Sequence, residues 1–510
     1  MIAKTFSSAL RGIDAFAVEV EVDVQLGMPS YITVGLAETA VKESRERVKG
    51  AILNSGFSFP QEVVTVNLAP AEMPKEGTQL DLAISVAVLA ATKQLLSENL
   101  DEYFIVGEVA LDGRLRAVRG LLPYAILARE MKKKMIIPIE NYEEAEIVEG
   151  LESYAFETLS DVFLFLKGEK NFQPLKQKNY EDLLVEPPSD VDFNDVKGQN
   201  FAKRALEVAA AGAHNILLIG PPGSGKSMLA KRFPTILPSM SFEEALETTK
   251  IHSVKGERES FVKGMVVLRP FRAPHHTISY AGMIGGGANV HPGEVSLSHN
   301  GVLFLDELTE FRRDVLESLI QPLEDRKVSI SRAKETLSFP SSFMLLAASN
   351  PCPCGFYGDS KRRCRCTPLQ IRRYLSKISG PLIDRIDIQI EVPTVSTEEL
   401  RKKENGESSK EIRFRVTQAR EIQKKRFEGL KIHSNSEMSE QQIEKFCPLK
   451  EEAENFLKDA IHSFGLSARG HHRVLKVART IADLEKCSEI KIEHLAEAVQ
   501  YRTLDRKLFA

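Results

Sequence analysis

Residues 215–227 read NILLIGPPGSGKS: an apolar run, a loop holding three glycines, then a lysine and a serine. Gly220–Ser227 fits G-x-x-x-x-G-K-[ST], a pattern that has chemical meaning only between a strand and a helix. The flanking sequence supplies both, a short buried strand before the loop and helical residues after it. The glycines let backbone N–H groups wrap phosphates, and a helix N-terminus adds positive potential. Lys226 would reach the β- and γ-phosphates and the Ser227 hydroxyl would hold Mg²⁺. Gly220, Pro221, Pro222, Gly223, Ser224, Gly225, Lys226 and Ser227 are therefore the expected nucleotide-binding residues.

Three later segments extend the pattern. GVLFLDE (301–307) is an apolar strand ending in two carboxylates. Downstream of a phosphate loop, Asp306 is expected on Mg²⁺ and Glu307 as the general base that polarises the attacking water. LLAASN (345–350) is a third buried strand, and its Asn350 would orient that water or touch the γ-phosphate. The competing reading is a turn-forming Asn before Pro351. In PLIDRIDI (381–388), Arg385 follows a short helix and precedes a strand, as an arginine finger reaching a neighbour's phosphate would. Its alternative is a surface arginine paired with Asp384 or Asp387.

At 510 residues the chain is too long for one core, and two to four domains are expected. Residues 15–36 alternate apolar and polar and read as paired strands, followed by a helix at 39–55, a strand at 62–68, a helix at 79–93 and a hairpin within 103–118. This predicts an α/β domain over 1–165. A polar, Pro-bearing linker follows over 166–190, then an α/β P-loop module with helices on both faces of a parallel sheet over 191–395. A helical lid is expected over 396–510, where Ile492, Leu495 and Val499 share a helix face. No apolar run nears the length of a membrane span and the start lacks a signal-peptide core, so a cytoplasmic protein is expected. A net charge of −3 excludes a globally basic nucleic-acid binder and leaves local patches.

P-loop, Asp-Glu, Asn, Arg and a helical lid, in that order, resemble an AAA+ module. RPFRAPHHTIS, AGMIGGG and PGEVSLSHNGVLFLDE (269–307) resemble the magnesium-chelatase-like branch, and more closely the bacterial ComM/YifB family. NPCPCGFYGD, CRC and LSARGHHRVLKVARTIADL (466–484) fit the same family, so the resemblance spans nearly the whole chain. It implies a homo-hexameric, ATP-driven DNA motor that aids branch migration when incoming DNA recombines in natural transformation, with recombination proteins as further partners. It also implies Arg469 as the lid sensor, with Arg473 as its competitor. The second function class is a chelatase-like remodelling ATPase with a protein client. The N-terminal domain resembles the Lon protease fold. There Gln79 stands where the catalytic serine belongs and Leu122 where the lysine belongs, a pair with no nucleophile and no base. A proteolytically dead assembly or partner-binding domain is expected.

The resemblance extends to MCM-type helicases, which aim two inserts into a pore. Here these are about 266–298, with Arg269, Arg272, His275, His276 and Gly285–Gly287, and 326–340, with Arg332 and Lys334 at its tip. Such cations would grip phosphates without reading sequence. For the histidine pair a structural role ranks first, DNA contact second and metal last. Four of the six cysteines, Cys352, Cys354, Cys364 and Cys366, fall within fifteen residues. In a reducing compartment that cluster suggests Zn²⁺, although C-x-C is tighter than the usual spacing; reduced thiols and a redox switch are the alternatives. A zinc staple would display Lys361, Arg362, Arg363 and Arg365 as a DNA- or subunit-contacting knob. The basic helix at 411–427 reads as a solvated lid face, and Cys447 and Cys487 as isolated structural thiols.

Overall fold

Alternating apolar residues in AFAVEVEV leave Val18, Val20 and Val22 on one buried face, which fixes a long strand with one side on a core. A computed structural model describes residues 2–96, 99–186, 190–287, 290–331, 336–359, 362–395, 406–464 and 468–504. They form two compact units. The first comprises Met1–Leu184, Ser241–Val267 and a few residues up to Phe339; the second comprises Val185–Met240, Leu268–Arg332 and Pro340–Ala510.

The first unit holds a seven-stranded sheet in the order β3-β4-β2-β1-β5-β8-β9. Its strands are β1 (Ile2–Arg11), β2 (Asp14–Gln25), β3 (Ser30–Val34), β4 (Val63–Ala69), β5 (Tyr103–Ile105), β8 (Lys134–Pro138) and β9 (Ser153–Phe156). The expected pairing within 15–36 is corrected: β2 lies antiparallel between β1 and β4, and β3 runs parallel to β4. The expected hairpin shrinks to β6 (Glu108–Val109) and β7 (Leu115–Arg116), because β5 joins the large sheet. The helix Asp81–Ala91 is buried along nearly its whole length, as DLAISVAVLAA requires. A later piece of chain, the helix Phe242–Lys255, belongs to this unit. It starts on a capping box of Ser241 and Glu244 and ends on Gly256 in the left-handed region.

The second unit holds a five-stranded parallel sheet in the order β11-β14-β17-β10-β18. Its strands are β10 (Ile216–Ile219), β11 (Phe271–Arg272), β14 (Val302–Leu305), β17 (Met344–Ser349) and β18 (Ile388–Glu391). One small pair accompanies it, β12 (Gly285–Gly286) with β13 (His291–Pro292), and two further short strands are β15 (Lys327–Ser331) and β16 (Thr336–Pro340). Both sheet faces are buried. Ile216, Leu218, Leu346 and Ala348 face one cluster with Ile412, Val416, Val474 and Ile481 from the C-terminal helices. Leu217, Ile219, Leu345 and Ala347 face the other, with Phe311, Val315 and Leu319. This is why the three strands read as unbroken apolar runs. The helix Ser409–Arg426 is corrected from a solvated face to a core element: Ile412, Val416 and Ala419 are buried, and Arg426 pairs with buried Asp483. In the helix Ile492–Gln500, Leu495 and Val499 are buried but Ile492 stays 37% exposed, so the apolar face is completed by Ala498 and His494 instead.

Candidate nucleotide site and the cysteine cluster

Parallel pairing brings the C-terminal ends of β10, β14 and β17 to one edge, with Ile219 opposite Ser349 and Leu305 opposite Ala347. The phosphate loop, the Asp-Glu pair and Asn350 leave the sheet there. Gly223 and Gly225 sit at φ +78° and +92°, conformations that side chains resist. Gly220 is needed for space, since a Cβ on it would stand 2.2 Å from the Val392 carbonyl oxygen.

Lys226 is buried, and its Nζ donates to the Gly220 and Pro221 carbonyls at 2.7 and 3.0 Å and to Asn350 Oδ1 at 3.3 Å. Burial lowers its pKa, while Asp306 and Glu307 act in the opposite sense. Ser227 Oγ donates to Asp306 Oδ2 at 2.7 Å, so the hydroxyl and carboxylate expected on Mg²⁺ already share one locus. The other Asp306 oxygen accepts from the Glu307 N–H at 2.9 Å. Glu307 itself has φ +52° and an exposed carboxylate, and His276 Nδ1 lies 3.8 Å from it. That approach is legible only in three dimensions. His276 lies thirty-one residues before Glu307 in the sequence, its ring tilted by 33° against that of His275 with centroids 4.1 Å apart.

Sequence reasoning missed two further residues. Gln199 donates from Nε2 to the Ser224 carbonyl at 3.2 Å and to that of Pro393 at 2.6 Å. Beside it opens a cavity of about 550 Å³ lined by Phe201, Gln389, Thr394 and Leu504, on the flank of the phosphate loop. Asn215 donates to the Arg385 carbonyl and accepts from the Leu345 N–H, both at 2.8 Å. It ties the base of the expected finger to the sheet.

The Arg385 guanidinium pairs with Glu324 and donates to the Pro381 carbonyl, so its carboxylate partner is Glu324 rather than Asp384 or Asp387. Arg473 pairs with buried Asp387, and Arg469 is exposed on the same helix. Burial pushes the Asp387 carboxyl up, but Arg473 and His214 overcome it and hold it well below the usual range. Arg473 thereby has a structural partner and Arg469 is left as the lid-sensor candidate.

Among the expected DNA contacts, Arg269 donates to the Pro238 and Asn300 carbonyls at 2.8 and 2.7 Å, and Arg272 forms a two-pronged pair with Glu294. Both guanidinia thus brace the fold through these bonds. Arg332, Lys334 and Lys361 lie outside the described residues. Arg362 and Arg363 are exposed, Arg362 over the Phe356 ring at 5.1 Å. In the first unit, Gln79 donates its amide to the Glu76 carbonyl at 2.7 Å and Leu122 is fully buried, so neither offers a nucleophile or a base.

The four clustered thiols converge. Cys352 Sγ lies 3.4 Å from Cys354 Sγ and 3.7 Å from Cys364 Sγ, the latter two are 3.6 Å apart, and all four sulfurs, with Cys366, fall within 4.8 Å of one another. Four sulfurs about 2.3 Å from a tetrahedral Zn²⁺ stand about 3.8 Å apart, so the donor set fits that ion. Backbone N–H groups of Arg365 and Phe356 pull the Cys354 thiol down to about 6, whereas burial pushes that of Cys352 up. Cys447 is buried, while Cys487 is corrected from an isolated thiol to the neighbour of a Glu485–His494 pair 3.0 Å apart.

A parallel sheet that lines up a phosphate loop, an Asp-Glu pair and a polar Asn defines a P-loop module of the AAA+ class. Family descriptions agree: "Magnesium chelatase, subunit ChlI" matches residues 192–400, "Subunit ChlI of Mg-chelatase" 20–141, and "Magnesium chelatase, subunit ChlI C-terminal" 406–502. The chain is 43% identical over 510 residues to Competence protein ComM of Haemophilus influenzae, covering 99% of this chain and 98% of that protein. It is 44% identical over 501 residues to Uncharacterized protein YifB of Escherichia coli, covering 98% and 97%. The chain therefore belongs to the ComM/YifB family of magnesium-chelatase-like AAA+ proteins. A weaker likeness, 26% over 233 residues, links 42% of this chain to 35% of Lon protease 2 of Bacillus subtilis. Among the described residues, no helix is long and apolar enough to cross a membrane.

Proposed function

We propose that this chain is an ATP-driven DNA motor, a helicase or branch-migration translocase that works as a homo-hexamer and supports recombination of incoming DNA. The observation that carries the reading is the convergence of Lys226, Ser227, Asp306 and Asn350 on one edge of the sheet. Lys226 neutralises the β- and γ-phosphates, Ser227 and Asp306 hold Mg²⁺, Asn350 orients water, and Glu307 takes its proton. Bound ATP supplies the phosphoanhydride whose hydrolysis drives movement. Arg385 serves a neighbouring subunit's site and Arg469 the lid. The same reading takes Zn²⁺ as a structural ion on Cys352, Cys354, Cys364 and Cys366. The N-terminal domain acts in assembly or partner binding, without proteolysis.

DNA enters the reading through full-length similarity to a protein named for competence, and through Arg362 and Arg363 beside the cysteine cluster. Strand displacement and branch migration on forked and four-way DNA test it, with ATP turnover measured in parallel. Lys226→Ala is expected to lower turnover at least about a hundredfold and to abolish unwinding. ATP hydrolysis that no DNA stimulates, with no strand moved, would overturn the DNA reading in favour of a remodelling ATPase with a protein client.

A further inference from the structure

The cysteine loop begins at the residue after Asn350 and returns onto the phosphate loop. Pro351, Cys352 and Pro353 lead into a tight turn in which the Gly355 N–H donates to the Cys352 carbonyl at 2.9 Å. Gly355 has φ +83°, and a Cβ on it would stand 2.5 Å from Pro222 Cδ and 2.7 Å from Pro222 Cγ. The turn therefore lies in contact with the phosphate loop itself, so closely that only glycine fits. Three residues on, a Cβ on Gly358 would stand 3.4 Å from Glu391 Oε1 at the end of β18. The loop thus leaves β17 and reaches the end of β18, the two strands that flank β10. The loop also follows directly on Asn350, whose Oδ1 accepts from Lys226.

A loop of this size has little apolar surface with which to hold such a turn. Cys352 is buried, but Cys354, Cys364 and Cys366 are only partly covered, and Arg362, Arg363 and Arg365 are exposed. Four ligands drawn from both ends of the loop would supply the missing constraint, since metal binding free energy is folding free energy in such segments.

We propose that the zinc-bound cysteine loop is a brace for the nucleotide site, seating Pro222 and Asn350 so that nucleotide affinity depends on the metal. This rests on Cys352, Cys354, Cys364 and Cys366 binding Zn²⁺, and not on the DNA-motor reading. The zinc would act through the protein rather than on the phosphates: Gly355, packed on Pro222, is a positioning residue.

The test uses the full chain without DNA. Zinc is measured by atomic emission and affinity by titration of a fluorescent ADP analogue. Wild-type protein is expected to carry one zinc per chain. Stripping it with a chelator is expected to weaken the analogue at least about tenfold, and added Zn²⁺ to restore it. Cys366→His keeps a zinc ligand and is expected to retain both metal and affinity, whereas Cys366→Ala loses both. Gly355→Ala leaves all four ligands, so it is expected to keep its zinc yet bind the analogue at least about tenfold more weakly. Zinc well below one per chain in wild-type protein would overturn the metal reading and the brace with it. Full zinc in Gly355→Ala with wild-type affinity would overturn the brace alone, even if stripped protein unfolds.

Discussion

Lys476 lies in the helix Ala468–Leu484 among Asp387, Arg473, Arg326 and Cys447, and its Nζ donates to the Ser436 carbonyl at 2.9 Å. Burial outweighs the attraction of Asp387 and brings its pKa down to about 8. The unfolded chain therefore holds a proton the folded chain has lost between about 8 and the ordinary lysine value of about 10.4, and stability rises with pH across that window. Wild-type protein is expected to gain on the order of 2 kcal/mol relative to Lys476→Met between about pH 7.5 and pH 10, read from urea midpoints. Parallel slopes for the two proteins would refute it. At this scale the motif residues were legible, because Lys226, Ser227 and Asp306 stand at spacings set by phosphate and Mg²⁺. The pairing of Arg473 was not, because Arg469 and Arg473 fit one helix and the buried Asp387 is brought to Arg473 only by the fold. Arg269 and Arg272 make the same point: their charge is visible in the sequence, but the carbonyls and the carboxylate that receive it are not.

Elements with strong periodicity were read correctly. β4, β10, β14 and β17 fall where expected. β1 was missed because TFSSALR carries Thr5, Ser7 and Ser8 on buried positions, which hides the apolar alternation. The helix Phe242–Lys255 and the turn after it were missed as part of the first unit, since a chain that leaves one unit and returns has no local signature. Their attachment is polar. The Gly120 N–H donates to the Ser253 carbonyl at 3.0 Å, Ser253 Oγ donates to Glu144 at 2.5 Å, and Arg258 reaches Glu144 at 3.0 Å and the Val118 carbonyl at 2.9 Å. Glu144 is buried, and burial raises its pKa against the pull of Arg258. Arg258→Ala is expected to destabilise the protein by about 2 kcal/mol, below the full cost of an orphaned buried charge because Arg258 itself is partly in water. Glu144→Gln in that background is expected to recover part of the loss, measured by urea denaturation; no recovery would mean that lost packing, not the unpaired carboxylate, sets the cost.

At the scale of the molecule, the proposed ring requires Arg385 to complete a neighbouring subunit's site. Lys226, Ser227, Asp306 and Asn350 share one edge of the sheet, whereas Arg385 is held elsewhere, paired with Glu324 and anchored through its carbonyl to Asn215. An arginine that completes another subunit's site can be tested without knowing the DNA substrate. Lys226→Ala removes a chain's own nucleotide site but leaves its Arg385 intact; Arg385→Ala does the reverse. Each variant alone is expected to lose at least about a hundredfold in ATP turnover. Mixed in equal amounts under assembly conditions, the two are expected to recover activity. In a mixed ring, the sound nucleotide site of an Arg385→Ala subunit can meet the sound arginine of a Lys226→Ala neighbour. If Arg385 serves its own chain, no mixed arrangement contains a complete site and the mixture stays as inactive as its parts. Recovery that vanishes on dilution below the assembly concentration would tie the activity to the ring rather than to a residual monomer.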